Sequence, residues 1–259
     1  MTETGIFARL QRGELVQVLG LGSLASPKWI EIAGLYPQLA GIWIDQEHSA
    51  ISHERLEMLL IACRAAGLDA FARVAPTDYA TVMRPYETGC SGVMAAQIRT
   101  LDEVRQVVQW AHYPPLGQRG LFLGNAEAKY GRRGASEQVE QATARRWLTI
   151  QIETAEAVEC VDEIAAEPHV DWLFVGPADL ACALGVPGQV LHPRCCEALQ
   201  RVSEACRKHG KPWGTLSRTA EHAAYCRQLG CQLFSIYGDL DVVHAGFAGL
   251  AKTFEAAMS

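Results

Sequence analysis

The stretch GIWIDQEHSA, residues 41–50, begins as one kind of segment and ends as another. Gly41-Ile42-Trp43-Ile44 is a short apolar run, the mark of a strand buried on both faces. Asp45, Glu47 and His48 then arrive within four residues. Packing alone does not ask for two carboxylates and an imidazole at the exit of a core strand. The same change recurs along the chain. FARVA carries Arg73, SGVMAAQ ends in Gln97, TIQIE brings Gln151 and Glu153, and FVGPADL brings Asp179. Apolar strands that deliver polar groups at their carboxyl ends belong to a parallel sheet with its chemistry on one face.

Working outward, strands and helices alternate. LVQVLGLGS reads as the first strand and PKWIEIAGLYPQL as a helix, with Ser26 as N-cap and Pro27 at its first position. GIWID is the second strand. The segment 52–66 has helical spacing, with Leu56, Leu59, Leu60 and Cys63 on one side, and Gly67 ends it. DAFARVA, SGVMAAQ, LTIQIE, DWLFVG, PWGTLS and QLFSIY supply the remaining strands. Helices are expected over 79–87, LDEVRQVVQWAHY, 136–147, 154–166, a short piece after the sixth strand, 193–209, 219–229 and from Asp239 onward. A long stretch rich in Gly and Pro, YPPLGQRGLFLGNAEAKYGRRGA, reads as irregular. Eight strand–helix units without a compositional break predict one (β/α)8 TIM-barrel domain over 1–259. The rival, an open doubly wound sheet, lacks a GxGxxG after its first strand; LGLGSLAS is only a loose echo.

The chain has 259 residues, 49% hydrophobic and 20% charged, with a net charge of -6. An acidic balance argues against a general nucleic-acid binder. KYGRRG brings three cations and little aromatic interleaving. MTETGIFARLQRGELVQ lacks the basic start and apolar run of a signal peptide. No stretch reaches the roughly 18 apolar residues of a membrane span. The nine cysteines are odd in number, scattered and free of CxxC pairs. His192 with Cys195 and Cys196 lacks the second cluster a zinc site needs. Structural thiols in a reduced, cytoplasmic compartment are expected.

Each strand-end residue has a plain structural use: His48 as a cap, Arg73 in an ion pair, Glu153 and Asp179 as acidic first-turn residues. Together on one face they point to catalysis. Glu153 and Asp179 are hard oxygen ligands from adjacent strands, suited to Mg²⁺ or Mn²⁺ with open positions. His48 can serve as a base. Arg73 can hold a carboxylate or an enolate through its planar fork. Gly176-Pro177-Ala178 opens a helix whose backbone N–H groups can meet a carboxylate. A metal, an anion fork and a base add up to enolate chemistry on a 2-oxo acid. No lysine lies in a strand, and Lys208 and Lys211 fall before the seventh, which argues against an imine mechanism. FSIYGDLD offers no glycine-rich phosphate loop.

IDQEH (44–48), ARV (72–74), YPPLGQRG (113–120), IQIET (150–154) and VGPADL (175–180) make the chain resemble the HpcH/HpaI aldolases, class II pyruvate aldolases of the phosphoenolpyruvate-binding barrel superfamily. The resemblance covers nearly the whole chain, from Leu15 to the last helix. It implies reversible, metal-dependent cleavage of a 4-hydroxy-2-oxo acid to pyruvate and an aldehyde. Glu153 and Asp179 match the metal ligands, with Mg²⁺ or Mn²⁺ expected and Co²⁺ or Zn²⁺ admissible. His48 matches the base, Arg73 the residue that binds the oxo acid, and Asp45 an acidic residue beside the base. Glu87 falls where relatives pair a carboxylate with the histidine. Gln151 matches a polar residue near the metal. Gly176, Pro177 and Ala178 fall at the substrate's backbone contacts, and Leu216 at the aldehyde pocket. The resemblance also implies a homohexamer in which the last helix exchanges between subunits. Val242, Val243, Phe247, Leu250 and Phe254 form a stripe expected to be core in any arrangement. VMAAQ (93–97), Gln46 and GLFLGNAEAKYGRRG depart from the pattern and bear on aldehyde choice. Two other readings stay open: a citryl- or malyl-coenzyme A lyase, for which Arg132-Arg133 is the one basic stretch, and a barrel that binds without catalysis.

Overall fold

Eight parallel strands close into a barrel in sequence order in the computed structural model, which describes residues 5–258. They are β1 (Val16–Leu21), β2 (Leu39–Asp45), β3 (Asp69–Val74), β4 (Gly92–Ala95), β5 (Trp147–Ile152), β6 (Trp172–Val175), β7 (Trp213–Leu216) and β8 (Leu233–Gly238). Each is one of the apolar runs read above, and the closed barrel is the (β/α)8 fold. The first four residues of the N-terminus read for a leader, and Ser259, lie outside the described residues.

Polar caps start the helices at the strand exits. Ser52 accepts from Arg55 N at the head of α3 (His53–Ala65), and Asp78 from Thr81 N at the head of α4 (Tyr79–Thr88). Thr100 and Glu103 form a reciprocal capping box on α5 (Leu101–Ala111). Ser26 caps α2, which runs only over Pro27–Ala33. The helix expected over 154–166 breaks at Cys160 into α7 (Ala155–Glu159) and α8 (Val161–Ala166). α6 (Ala135–Arg145), α9 (Pro177–Ala183), α10 (Pro193–Lys208) and α11 (Ala220–Gln228) add to the outer layer.

The barrel interior is filled from below. Trp43, Phe71, Trp147, Trp172 and Phe174 pack there with neighbouring ring centroids 5.1–6.4 Å apart. Gly92 is needed for this, since a Cβ on it would fall inside the Trp147 indole. A helix the periodicity did not reveal, α1 (Ile6–Gln11), seals the amino-terminal end. Ile6 and Leu10 are buried against the aromatic cluster, and Ile6 N donates to Asp69 Oδ2 at 2.8 Å. Six residues are too few to display a helical period, so the plug was invisible from the sequence. Lys211 is at this same closed end, where Nζ donates to the carbonyls of Glu167 and Val170. Polar chemistry is left the carboxyl end alone.

The irregular stretch after α5 is pinned by a buried ion pair. Arg119 and Glu127 are each 2% exposed and hydrogen-bonded to each other. Arg146 adds a second cation 3.0 Å from Glu127, and Tyr86 and Tyr113 sandwich the Arg119 guanidinium at 5.2 and 4.6 Å.

The last helix, α12 (Asp239–Met258), corrects the expectation of a core stripe. Asp239 is its one buried residue, while Phe247, Leu250 and Phe254 are 69%, 58% and 52% exposed. The helix meets β8 and β1 near its start and then leaves the barrel. Where an eighth helix would cover these strands, apolar clefts remain, one lined by Leu15, Phe234 and Ile236 and another by Trp29, Ile32 and Tyr237.

Candidate active site

Parallel register sets Asp45, the last residue of β2, opposite Arg73 on β3. Arg73 uses its fork on that carboxylate, with Nε 3.0 Å from Oδ1 and Nη2 2.6 Å from Oδ2. Its Nε is also 3.2 Å from Glu47 Oε2, an ion-pair contact without hydrogen-bond alignment. The guanidinium carbon stands 4.8 Å over the Trp43 ring. Two carboxylates and an indole face thus fix the cation in a buried position.

Asp45 also folds the turn that follows it. Its Oδ1 accepts from Glu47 N at 3.1 Å and His48 N at 3.4 Å, and its carbonyl accepts from Ser49 Oγ. The turn sends Glu47 inward and His48 outward, with side chains 7% and 58% exposed. His48 Nε2 is 3.7 Å from Glu47 Oε2. Asp45 is therefore beside His48 in the backbone, while the carboxylate facing the imidazole belongs to Glu47. Sequence reading singled out Glu47 together with Asp45 but gave the place beside the histidine to Asp45. Glu87 is not brought to His48 within the chain; it borders a separate cleft with His53, Arg84 and Asn125. Burial pushes its carboxyl above the usual range, against the pull of Arg119.

Across the mouth, Glu153 follows β5 and is 1% exposed. Gln97 N donates to its Oε1 at 2.7 Å, and Gln151 Nε2 donates to its Oε2. Gln97 adopts a left-handed backbone, φ 58°, to make that contact, a conformation nothing in AAQI signals. Gly176 makes the cradle: a Cβ there would lie 2.5 Å from Glu153 Oε2 and 2.6 Å from Gln151 Nε2. Burial raises the Glu153 carboxyl to about 7; the negative charges of Glu47 and Asp179 add to the rise, and Arg73 and the Gln97 N–H oppose it. Asp179 is a half-buried first-turn residue of α9. Gly176 N donates to Ile152 O at 3.2 Å, so that N–H is committed to the strand pairing. Pro177 has no N–H, which leaves the first-turn N–H groups of Ala178 and Asp179 beyond the helix start.

These residues fit a divalent cation. Glu153 feels the charge of Asp179, and on the neighbouring Gln151, whose Nε2 it holds, the Oε1 atom is buried without a partner. Among the described residues no three His, Cys, Asp or Glu side chains form a closed metal cage. One or two carboxylates with open positions is the arrangement of an ion that keeps water or substrate oxygens.

On the Arg73 side, a cleft of roughly 200 Å³ opens at the mouth, lined by Trp43, Asp45, His48, Arg73, Leu216 and Arg218 among others. Leu216 thus lines one cleft with His48 and Arg73.

Known proteins resemble this chain over nearly its whole length. The chain is 30% identical over 243 residues to a 5-keto-4-deoxy-D-glucarate aldolase of Salmonella arizonae, covering 93% of each chain. It superposes on an HpcH/HpaI aldolase from Desulfitobacterium hafniense with a TM-score of 0.89 at 27% identity, over 97% of this chain and 96% of that one. The citrate synthase SbnG superposes with a TM-score of 0.87 at 25% identity, over 99% and 100%. Residues 23–244 match the family described as HpcH/HpaI aldolase/citrate lyase. A barrel whose carboxyl end assembles an arginine fork, a histidine and converging carboxylates, and whose sequence matches over that span, belongs to the HpcH/HpaI aldolase/citrate lyase family of carbon–carbon lyases.

Proposed function

We propose that this lyase cleaves a 4-hydroxy-2-oxo acid reversibly to pyruvate and an aldehyde, with a divalent metal, Mg²⁺ or Mn²⁺ as first choice. The carrying observation is the convergence of Glu47, Glu153 and Asp179 beside an arginine held in place by Asp45. Glu153 and Asp179 would hold the ion, with Gln151 and the Gln97 N–H orienting Glu153. When bound, the ion supplies a Lewis acid that polarises the 2-oxo group and steadies negative charge there.

The protein's own groups do the rest. In the cleavage direction His48 takes the proton of the C4 hydroxyl, and Glu47 stabilises the imidazolium that results. The C3–C4 bond breaks, C4 becomes the aldehyde carbonyl, and the bond's electron pair moves into the enolate of pyruvate. Arg73 keeps free N–H groups beyond its Asp45 fork and directs them at that enolate. Return of a proton to C3 releases pyruvate. First-turn N–H groups at Ala178 and Asp179 meet the substrate carboxylate, and Leu216 borders the aldehyde.

Proton–deuterium exchange at the pyruvate methyl group, followed by NMR, tests this without any aldehyde. Metal-dependent exchange that disappears in Glu153→Ala and Arg73→Ala is expected; no exchange under any divalent metal refutes the reading. A coenzyme A lyase is less well supported, because Arg133 turns inward onto the Glu127 carbonyl and Gln138, removing half of the Arg132-Arg133 pair. Assembly as a homohexamer with exchanged α12 is supported by the exposed stripe on that helix and the vacant grooves over β8 and β1; a monomeric mass by light scattering would rule it out. No helix among the described residues is long and apolar enough to cross a membrane, and the free cysteines suit the cytoplasm.

A further inference from the structure

The loop after β1, within LGLGSLAS, echoes a phosphate-binding loop in sequence, and its backbone N–H groups do hold an anion. The anion is the chain's own. Asp239 Oδ2 accepts from Gly22 N at 3.0 Å and from Leu24 N at 2.7 Å, and its Oδ1 accepts from Leu240 N at 2.8 Å. This carboxylate belongs to the one buried residue of α12. Bonds from backbone N–H groups to a buried carboxylate are charge-assisted and strong. Asp241, on the same first turn, pairs instead with Arg218, Oδ2 to Nε at 3.0 Å, and both of those side chains are about half exposed. An exposed pair of that kind holds weakly. The firm tie between α12 and the mouth of the barrel is therefore Asp239.

The loop that this carboxylate holds leans on the turn after β2. A Cβ on Gly22 would lie 3.8 Å from Asp45 Cβ and 3.8 Å from Ser49 Cβ, so the loop packs on both ends of the turn that carries Glu47 and His48. Asp45 in turn holds the Arg73 fork. Gly22, Ser23 and Asp239 line the same cleft as His48 and Arg73. We infer that Asp239 is a positioning residue of the active site: a built-in anion that seats the β1–α2 loop against the Asp45 turn, and so sets where Arg73 and His48 stand. It acts through the Gly22 and Leu24 N–H groups and not on the substrate. The inference rests on the aldolase reading for its effect on the reaction, but not for the contact or for the order it imposes on the turn.

The test removes the anion and then returns one. Asp239→Ala leaves two backbone donors unpaired beside an open cleft, where added formate can take the carboxylate's place. Amide hydrogen–deuterium exchange, read by mass spectrometry, follows the contact without turnover. The peptide holding Gly22 and Leu24 is expected to exchange about tenfold faster in the variant. The peptide holding Glu47 and His48 should loosen with it, and formate should restore protection to both. Metal-dependent exchange at the pyruvate methyl group reads the consequence, against wild type at the same formate concentration. Its maximal rate is expected to fall about tenfold to hundredfold in Asp239→Ala, with a smaller change in KM, and to recover with formate. Asp239→Asn keeps one acceptor oxygen and should fall between; if the alanine variant does not fold, it carries both measurements. Asp241→Asn removes a carboxylate from the same turn and should change either reading by no more than about twofold. Unchanged protection at Gly22 and Leu24 in Asp239→Ala refutes the contact. A loosened loop with a full maximal rate refutes the positioning role, as does a loss that Asp241→Asn reproduces. If wild type shows no pyruvate exchange, the aldolase reading fails by itself. Joint loosening of the two peptides, reversed by formate, then still supports Asp239 as the residue that orders the turn, and loosening of the first peptide alone overturns it.

Discussion

Metal-free protein should become less stable as the pH rises through neutrality, and Glu153 should be the reason. In the unfolded chain its carboxyl titrates near 4.5; in the fold, burial and the neighbouring charges of Glu47 and Asp179 raise it to about 7. The folded state therefore holds the proton more tightly. The stabilising contribution is complete below the unfolded value and is lost as the pH climbs through about 7. A rise of this size corresponds to about 3 kcal/mol in full, most of which falls between pH 5 and 8. Asp171, lifted to about 6 by burial, titrates in the same window, so the wild-type slope alone is not diagnostic. The diagnostic quantity is the difference from Glu153→Gln, measured by urea unfolding in the presence of chelator. Wild type should lose about 2 to 3 kcal/mol relative to the variant between pH 5 and 8. A difference that stays flat across that range would refute the reasoning. The same physics links the carboxyl to metal: a cation that needs Glu153 ionised relieves the repulsion, so its affinity should rise with pH until the carboxyl is fully ionised.

Two further perturbations probe other parts of the fold. Gly176→Ala places a Cβ 2.5 Å from Glu153 Oε2 and 2.6 Å from Gln151 Nε2; Mn²⁺ affinity by titration calorimetry should fall about tenfold to hundredfold, and unchanged affinity would mean the cradle is not part of the metal site. Glu127→Ala strands the buried Arg119 guanidinium between two tyrosines; urea unfolding should show a loss of about 3–5 kcal/mol, and a loss below about 1 kcal/mol would mean that water or another group takes the carboxylate's place.

Much of the site was legible because barrel chemistry collects at strand ends, and strand ends are local. An apolar run followed by a polar residue fixes both the element and the place where its last side chain emerges. Asp45, Arg73, Gln151 and Glu153 could be placed at the mouth on that ground, and the caps Ser52 and Thr100 could have been read from the same kind of spacing. The plug α1 was not legible, because six residues carry too little period to be told from a loop. Nor was the Arg119–Glu127 pin, since two charges eight residues apart in a Gly- and Pro-rich stretch read as solvated surface.

By itself, then, the sequence determined the barrel, the order of its strands and the residue types at its mouth, because hydrophobic periodicity is written residue by residue. Tertiary structure decided the partners. The register of β2 on β3 gives Arg73 to Asp45, and the turn after β2 turns Glu47 rather than Asp45 toward the imidazole. A left-handed Gln97 reaches 56 positions along the chain to Glu153, and α12 leaves its apolar stripe uncovered by its own barrel. Those outcomes depend on contacts between segments far apart in the chain, where direction and distance are set by packing, and local spacing does not carry them.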